Sequence, residues 1–163
     1  MSVLLYGEIN KEDFRALLKK YQLEIIDSNK NEDIPGSFWG DEEAGLIGNK
    51  LYCRDDTPVH SALHEACHFI CMDEQRRSGL HTDAGGGYDE ENGVCYLQIL
   101  LADFVAEMSP EKMFSDMDEW GYSFRLGSAK RWFQEDAEDA KNWLLDHHLI
   151  SNDIKPNWKL RKK

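Results

Sequence analysis

The sequence predicts a single α+β domain over residues 1–163, and three observations point there. Apolar residues recur at helical spacing near the start and through the second half. Short strand-like runs bounded by turn residues lie between them. At 163 residues and 41% hydrophobic content, the chain can bury one sizeable core. Asn10 reads as the N-cap of a helix carrying Phe14, Leu17 and Leu18. "YQLEIID" (21–27) reads as a strand, followed by a polar loop over 28–33. "GSFWG" and "AGLIGNKLYCR" read as further short strands, separated by Asp41-Glu42-Glu43 and by Gly48-Asn49. A small, mostly antiparallel sheet is therefore expected.

Thr57-Pro58 reads as a helix start, with Thr as N-cap and Pro at the first helical position. Asp55 and Asp56 favour the positive end of its dipole. The helix is expected to run from 58 to about 75, with Val59, Ala62, Leu63, Ala66 and Ile70 as its core stripe. "RRSGLHTDAGGGYD" then breaks the pattern at Gly79 and the triple glycine 85–87, and reads as a mobile loop. Asp89 is expected to cap a second buried helix from Glu90 to about Met108, apolar through Val94, Leu97, Leu100, Leu101, Phe104 and Val105. Ser109-Pro110 and Ser128 open two more helices, the last carrying Trp132, Phe133, Trp143 and Leu144.

The chemistry lies in "SALHEACHFIC" (61–71), which contains H-E-x-x-H. Residues four apart stand one above the other on a helix, so His64 and His68 can aim imidazole nitrogens at one ion. Glu65 is rotated about 100° from His64, where it can reach a metal-activated water without binding the metal. That is the placement a general base needs. The alternative is an ordinary core-edge helix with polar histidines facing solvent.

A catalytic ion needs a third protein ligand and an open position. The next helix begins "DEENGVCYLQILLADF" and offers two candidates. Glu90 shares a stripe with Val94, Leu97 and Leu101, which turns it inward. Glu91 shares a face with Cys95, Gln98 and Ala102, where the amide can support a ligand from behind. Either Glu90 or Glu91 fits, and an acid in the first helical turn also suits the dipole without any metal. His60, one turn before His64, can serve as a ligand, though a helix-surface histidine is the simpler reading. His81 and Tyr88 flank the glycine loop and can stabilise an oxyanion if it folds over the metal, though plain loop residues are the simpler reading. His147 and His148, near a helix end, take no catalytic role.

"GLIGNKLYC…VHSALHEACHFI", followed by "EENGVCYLQILL", resembles the zincin-like metallopeptidase core. Within that group it is similar to the ImmA/IrrE-type proteins, where a strand precedes the H-E-x-x-H helix and an acidic ligand begins the next one. A small residue, an aromatic and a Leu-Leu pair follow that ligand. Glu90 as the ligand aligns Gly93, Tyr96 and Leu100-Leu101 with those positions. The resemblance implies zinc on His64, His68 and Glu90, with Glu65 as base. "SALHEACHFICMDEQRR" also resembles the bacterial hydroxylase that modifies a lysine of elongation factor P, thought to be an iron oxygenase. Its register implies Glu91 as the carboxylate ligand. The resemblance covers about residues 44–104 and implies a zincin-like fold for the domain.

Composition narrows the function classes. Thirty-one acidic against nineteen basic residues give a net charge of −12, which argues against nucleic acid as a partner. The basic tail, Lys159 to Lys163, reads as a solvated terminus. No apolar run reaches the roughly 20 residues of a membrane span. The opening "MSVLLYGE" lacks the basic segment and apolar run of a signal peptide, so a cytoplasmic protein is expected. Cys53, Cys67, Cys71 and Cys95 read as reduced, partly buried thiols; a zinc site joining Cys67 and Cys71 to the histidines lacks the short knuckle spacing. The expected function is a zinc-dependent hydrolase, a small metallopeptidase acting on a peptide or protein. An Fe(II) protein hydroxylase on the same two-His-one-carboxylate site is the alternative, and a catalytically silent metal-binding interaction module the third.

Overall fold

The computed structural model describes residues 2–37, 42–79 and 86–163. Among these, seven α-helices accompany a three-stranded sheet, an α+β architecture. Asn10 does cap helix α1 (Lys11–Lys19), its side chain accepting from Asp13 N at 3.1 Å, and Phe14, Leu17 and Leu18 are buried. The chain leaves α1 through Gln22, held at φ 66°, and Leu23 N–H closes the helix end on Leu18 O at 3.3 Å.

Strand β1 (Glu24–Asp27) follows, then β2 (Gly45–Ile47) and β3 (Lys50–Cys53), in the order β1-β3-β2. The β2–β3 hairpin turns at Gly48, φ 58°, which glycine adopts without steric cost. β1 instead lies parallel to β3, from Glu24↔Lys50 to Asp27↔Cys53. The sheet is thus mixed, not mostly antiparallel. A tight turn would have forced an antiparallel partner on β1, but the long connection 28–44 leaves it free to run alongside β3. No strand forms at Gly36-Ser37 in "GSFWG", where Gly36 sits at φ 74°; Phe38, Trp39 and Gly40 lie outside the described residues.

Helix α2 (Val59–Cys71) starts one residue later than expected, because the Thr57 hydroxyl accepts from Arg54 N at 2.9 Å in the turn after β3 and is not available as a cap. Its stripe Val59, Ala62, Leu63, Ala66 and Ile70 is fully buried. It ends at Cys71, short of 75, because Asp73 accepts from Arg76 N and caps a separate helix α3 (Glu74–Ser78). The Ser61 hydroxyl accepts from Ala44 N at 3.0 Å, fastening α2 to the start of the hairpin.

Helix α4 (Tyr88–Ala102) packs along α2 and is buried over most of its length. Gly87, not Asp89, occupies its N-cap, and the helix stops at Ala102 instead of Met108, leaving Phe104 partly exposed. Ser109 and Ser128 cap α5 (Pro110–Glu119) and α6 (Ala129–Glu135) as expected. The segment read as one helix from Ser128 breaks at Asp136, so Trp143 and Leu144 belong to α7 (Glu138–Asp146). α7 covers the side of α4 away from α2, which is why α4 is apolar nearly all round. The tail keeps Lys159, Lys162 and Lys163 exposed, but its backbone is tied down: Arg161 N–H donates to Ile70 O and Glu74 N–H to Lys162 O, both at 3.0 Å, at the end of α2. No described helix is long and apolar enough to cross a membrane.

α7 packs tightly against α4 at Gly93: a Cβ there would lie 2.6 Å from Trp143 Cε3. Alanine adds about 1 kcal/mol of helix propensity, but overpacking costs about 1–3 kcal/mol. Gly93→Ala is expected to lower the stability measured by urea unfolding by about 1 kcal/mol or more. Gly79→Ala, which meets open space, should stay within about 0.5 kcal/mol of wild type.

Candidate metal centre

Helical geometry stacks His64 and His68 on the face of α2 that meets α4, with ring planes at 85° and Nε2 atoms 3.2 Å apart. Glu91, in the first turn of α4, closes the group: Oε1 lies 3.1 Å from His64 Nε2 and Oε2 3.2 Å from His68 Nε2. Among the described residues, His64, His68 and Glu91 form the group of ligand atoms able to hold an ion, one atom from each lying within 4.8 Å of the others. An ion in tetrahedral coordination at about 2.0–2.1 Å holds its ligands about 3.3 Å apart. The observed separations are close to that edge.

Glu90 does not face the histidines. Its buried carboxylate accepts from Arg76 Nη1 at 3.0 Å and Nη2 at 2.5 Å, and from Arg161 Nη1 at 2.9 Å. Adjacent positions on a helix point about 100° apart, so one of the two acids meets α2 and the other must turn elsewhere. Of the two candidate acids, Glu91 and not Glu90 therefore stands beside the histidines, which differs from the register that the peptidase resemblance implied.

Gln98, two turns beyond Glu91 on the same face, fixes the tautomer of His64. Gln98 Nε2 donates to His60 O at 3.0 Å, and a carbonyl can only accept, so the amide orientation is determined. Oε1 then faces His64 Nδ1 at 2.8 Å, and Nδ1 must carry the proton. The lone pair of neutral His64 is left on Nε2, towards Glu91 and His68. This is the support a metal-binding imidazole requires.

Two residues here escaped the sequence reading. His60 is 1% exposed, not a surface histidine; its ring packs edge-on against Trp120 and Tyr122, and its Nδ1 lies 3.1 Å from the Tyr122 hydroxyl. Its Nε2 is buried with no hydrogen-bond partner among the described residues, and burial pushes its pKa down to about 3. Tyr122, just past α5, sets its ring at 88° to that of His64, with centroids 5.6 Å apart. Burial is the chief cause that pushes its phenol up to about 12, so it stays protonated near neutrality. A lone Tyr after Gly121 carries no motif, and only the return of α5 to α2 brings it here.

Burial works against charge on His64, yet hydrogen bonds to the Cys95 and Glu91 side chains favour it, and the pKa is raised above the ordinary range. Burial likewise opposes charge on Glu91, but hydrogen bonds from His64 and His68 hold its carboxyl below the usual range. Any cation entering this group must displace the His64 proton, so its affinity rises with pH. Glu65 is half-buried on the same turn as His64, outside the three-ligand group and close enough to Tyr122 for its charge to help raise the phenol.

The four cysteines are free and buried; burial raises the Cys53, Cys67 and Cys71 thiols, and no site with the histidines forms from them among the described residues. Tyr88 is 76% exposed at the start of α4, and residues 80–85, His81 among them, lie outside the described residues. His147 stacks on Trp143 at 4.3 Å. Compared with known proteins, the chain matches no family model, no curated protein and no solved structure.

Between pH 6.5 and about 3 the unfolded chain protonates His60 while the folded chain keeps it neutral. The unfolded state binds more protons in that window, so His60 makes stability fall as pH drops. Urea unfolding in chelator between about pH 7 and 4.5 should show a shallower acid loss in His60→Gln, by up to about 1.4 kcal/mol per pH unit. Equal slopes would contradict the burial of a neutral His60.

Proposed function

We propose that the protein is a metal-dependent hydrolase, a zinc metallopeptidase acting on a peptide or protein. One observation carries the reading: His64, His68 and Glu91 converge from two packed helices, with Glu65 directly after the first histidine. In this reading His64, His68 and Glu91 hold Zn²⁺, and the Gln98 amide keeps His64 in the binding tautomer. The ion would supply Lewis acidity and draw the pKa of its water towards ~7. Glu65 takes the proton of the attacking water and returns it to the leaving amine. Strand β2 lies at the edge of the sheet, where an extended substrate segment can add by main-chain hydrogen bonds.

A second reading has an observation of its own. Glu91, not Glu90, meets the histidines, and this is the register that the hydroxylase resemblance implied. Two imidazoles and one carboxylate also suit non-haem Fe(II), which would make the protein an oxygenase acting on a protein side chain.

Elemental analysis of native protein separates the two: zinc is expected for the hydrolase, iron for the hydroxylase. His64→Ala with His68→Ala, or Glu91→Gln alone, should empty the site, and metal retained in the double histidine variant would reject it. Gln98→Leu is expected to weaken metal binding by about 10–100-fold in a competition titration. Glu65→Gln should keep its metal and lose about 10²–10⁴-fold in peptide hydrolysis. Unchanged cellular function of that variant would favour a silent interaction module.

A further inference from the structure

Outside the ligand group lies a second cluster that the proposed chemistry does not use: Glu90 with Arg76 and Arg161. The Arg161 side chain is 16% exposed and the Glu90 side chain 6%. One guanidinium nitrogen, Arg161 Nη1, donates to Glu90 Oε1 at 2.9 Å and to Cys71 O at 3.1 Å. Cys71 ends the helix that carries His68, and Glu90 immediately precedes Glu91 on the other helix. A single side chain from the C-terminal segment thus spans the two elements that bring the ligands together.

Arg161 is itself held firmly. Its N–H donates to Ile70 O at 3.0 Å, and its carbonyl accepts from Arg77 Nη2 at 2.7 Å. Arg77 also donates to Phe69 O at 2.8 Å and Met72 O at 2.5 Å, so the last carbonyls of α2 and the tail share one set of donors. On the other side of the carboxylate, a Cβ on Gly86 would lie 2.3 Å from Glu90 Oε2, so the chain entering α4 is pressed against it. Arg76 closes the remaining side with two hydrogen bonds.

We infer that Arg161, acting through Glu90, is a positioning residue that sets which face of α4 meets the histidines. Glu90 and Glu91 are adjacent acids about 100° apart, and either can serve a metal by chemistry alone. Pairing Glu90 with two guanidiniums removes it from the competition and fixes the rotation of the first turn of α4. Glu91 is then delivered to Nε2 of both imidazoles. The inference deepens the metal-centre reading and rests on it for its effect on metal affinity, but its effect on Glu91 does not require a metal.

The experiment has two arms on the full chain. In the first, competition titration with Zn²⁺ compares wild type, Arg161→Ala, Arg161→Lys and Glu90→Gln. Arg161→Ala and Glu90→Gln should bind about 10–100-fold more weakly, with Arg161→Lys recovering part of the loss. Asp116→Asn, which removes a buried carboxylate bonded to Leu4 N and Lys112, should cost stability and leave zinc affinity unchanged. In the second arm, metal-free protein at fixed pH is followed by the imidazole ¹⁵N resonances of His64 and His68. Arg161→Ala should shift them towards their positions in Glu91→Gln. Wild-type zinc affinity and wild-type imidazole resonances in folded Arg161→Ala would overturn the inference. If wild type takes up no metal, the metal-centre reading fails on its own, and the second arm still decides whether Arg161 places Glu91.

Discussion

A buried primary amide without partners costs about 1–3 kcal/mol, and Gln98 meets that demand by joining two helices. Its Oε1 accepts from His64 Nδ1 and its Nε2 donates to His60 O, so both bonds land on successive turns of α2. The apolar contacts between α2 and α4 are non-directional and tolerate a slide or a twist. The amide does not, because it works at one axial setting and one rotation of α4 against α2. With that setting fixed, Glu91, two turns nearer the start of α4, lies level with His64 and His68. The ligand group is therefore a consequence of helix packing held in register by one polar side chain, with Arg161 and Glu90 acting on the same interface from its other end.

The same interface sorts charge. The chain carries a net −12, and its second long helix opens with three consecutive acids, Asp89, Glu90 and Glu91. Placing carboxylates so close together is unfavourable unless each finds water, cationic or hydrogen-bonding company; Asp89 and Glu91 stay exposed, while Glu90 is buried. Glu90 takes two arginines, and Glu91 takes two imidazoles, one of which it helps to charge. Two neighbours of identical chemistry thus end in opposite surroundings because the helix turns them apart, and their partners come from segments remote in sequence.

That remoteness explains what was legible in the sequence. The caps at Asn10, Ser109 and Ser128, the hairpin turn at Gly48 and the stripe from Val59 to Ile70 are all local, written in residues within a few positions of one another. The facing of His64 and His68 follows from their spacing, and the Gln98 amide was visible as a face-mate of Glu91. The choice between Glu90 and Glu91 was not legible, since it depends on Arg161, 71 positions from Glu90. The burial of His60 and the approach of Tyr122 depend on α5 returning to α2, and the parallel pairing of β1 depends on the long connection 28–44, which no local signal relates to β3. Thr57 misled for a local reason: its hydroxyl had a nearer donor in Arg54 N.

The neighbours of the ligand group also bear on what a bound ion could do. Gln98 is neutral, the Tyr122 phenol is pushed up to about 12, and the His60 imidazole is pushed down to about 3. In the proposed site, a divalent ion on two neutral imidazoles and one carboxylate keeps a net positive charge, and none of these three neighbours cancels it. Thiolate ligands would have quenched that charge, as structural zinc sites do, but the raised thiols of Cys67 and Cys71 lie outside the ligand group. An uncancelled charge in half-buried surroundings is what polarises a carbonyl and acidifies water. Glu65 adds a negative charge beside the site without joining the ligands, where it can accept a proton instead of weakening the ion. In the proposed site, this balance of charge would suit a reactive ion better than a structural one.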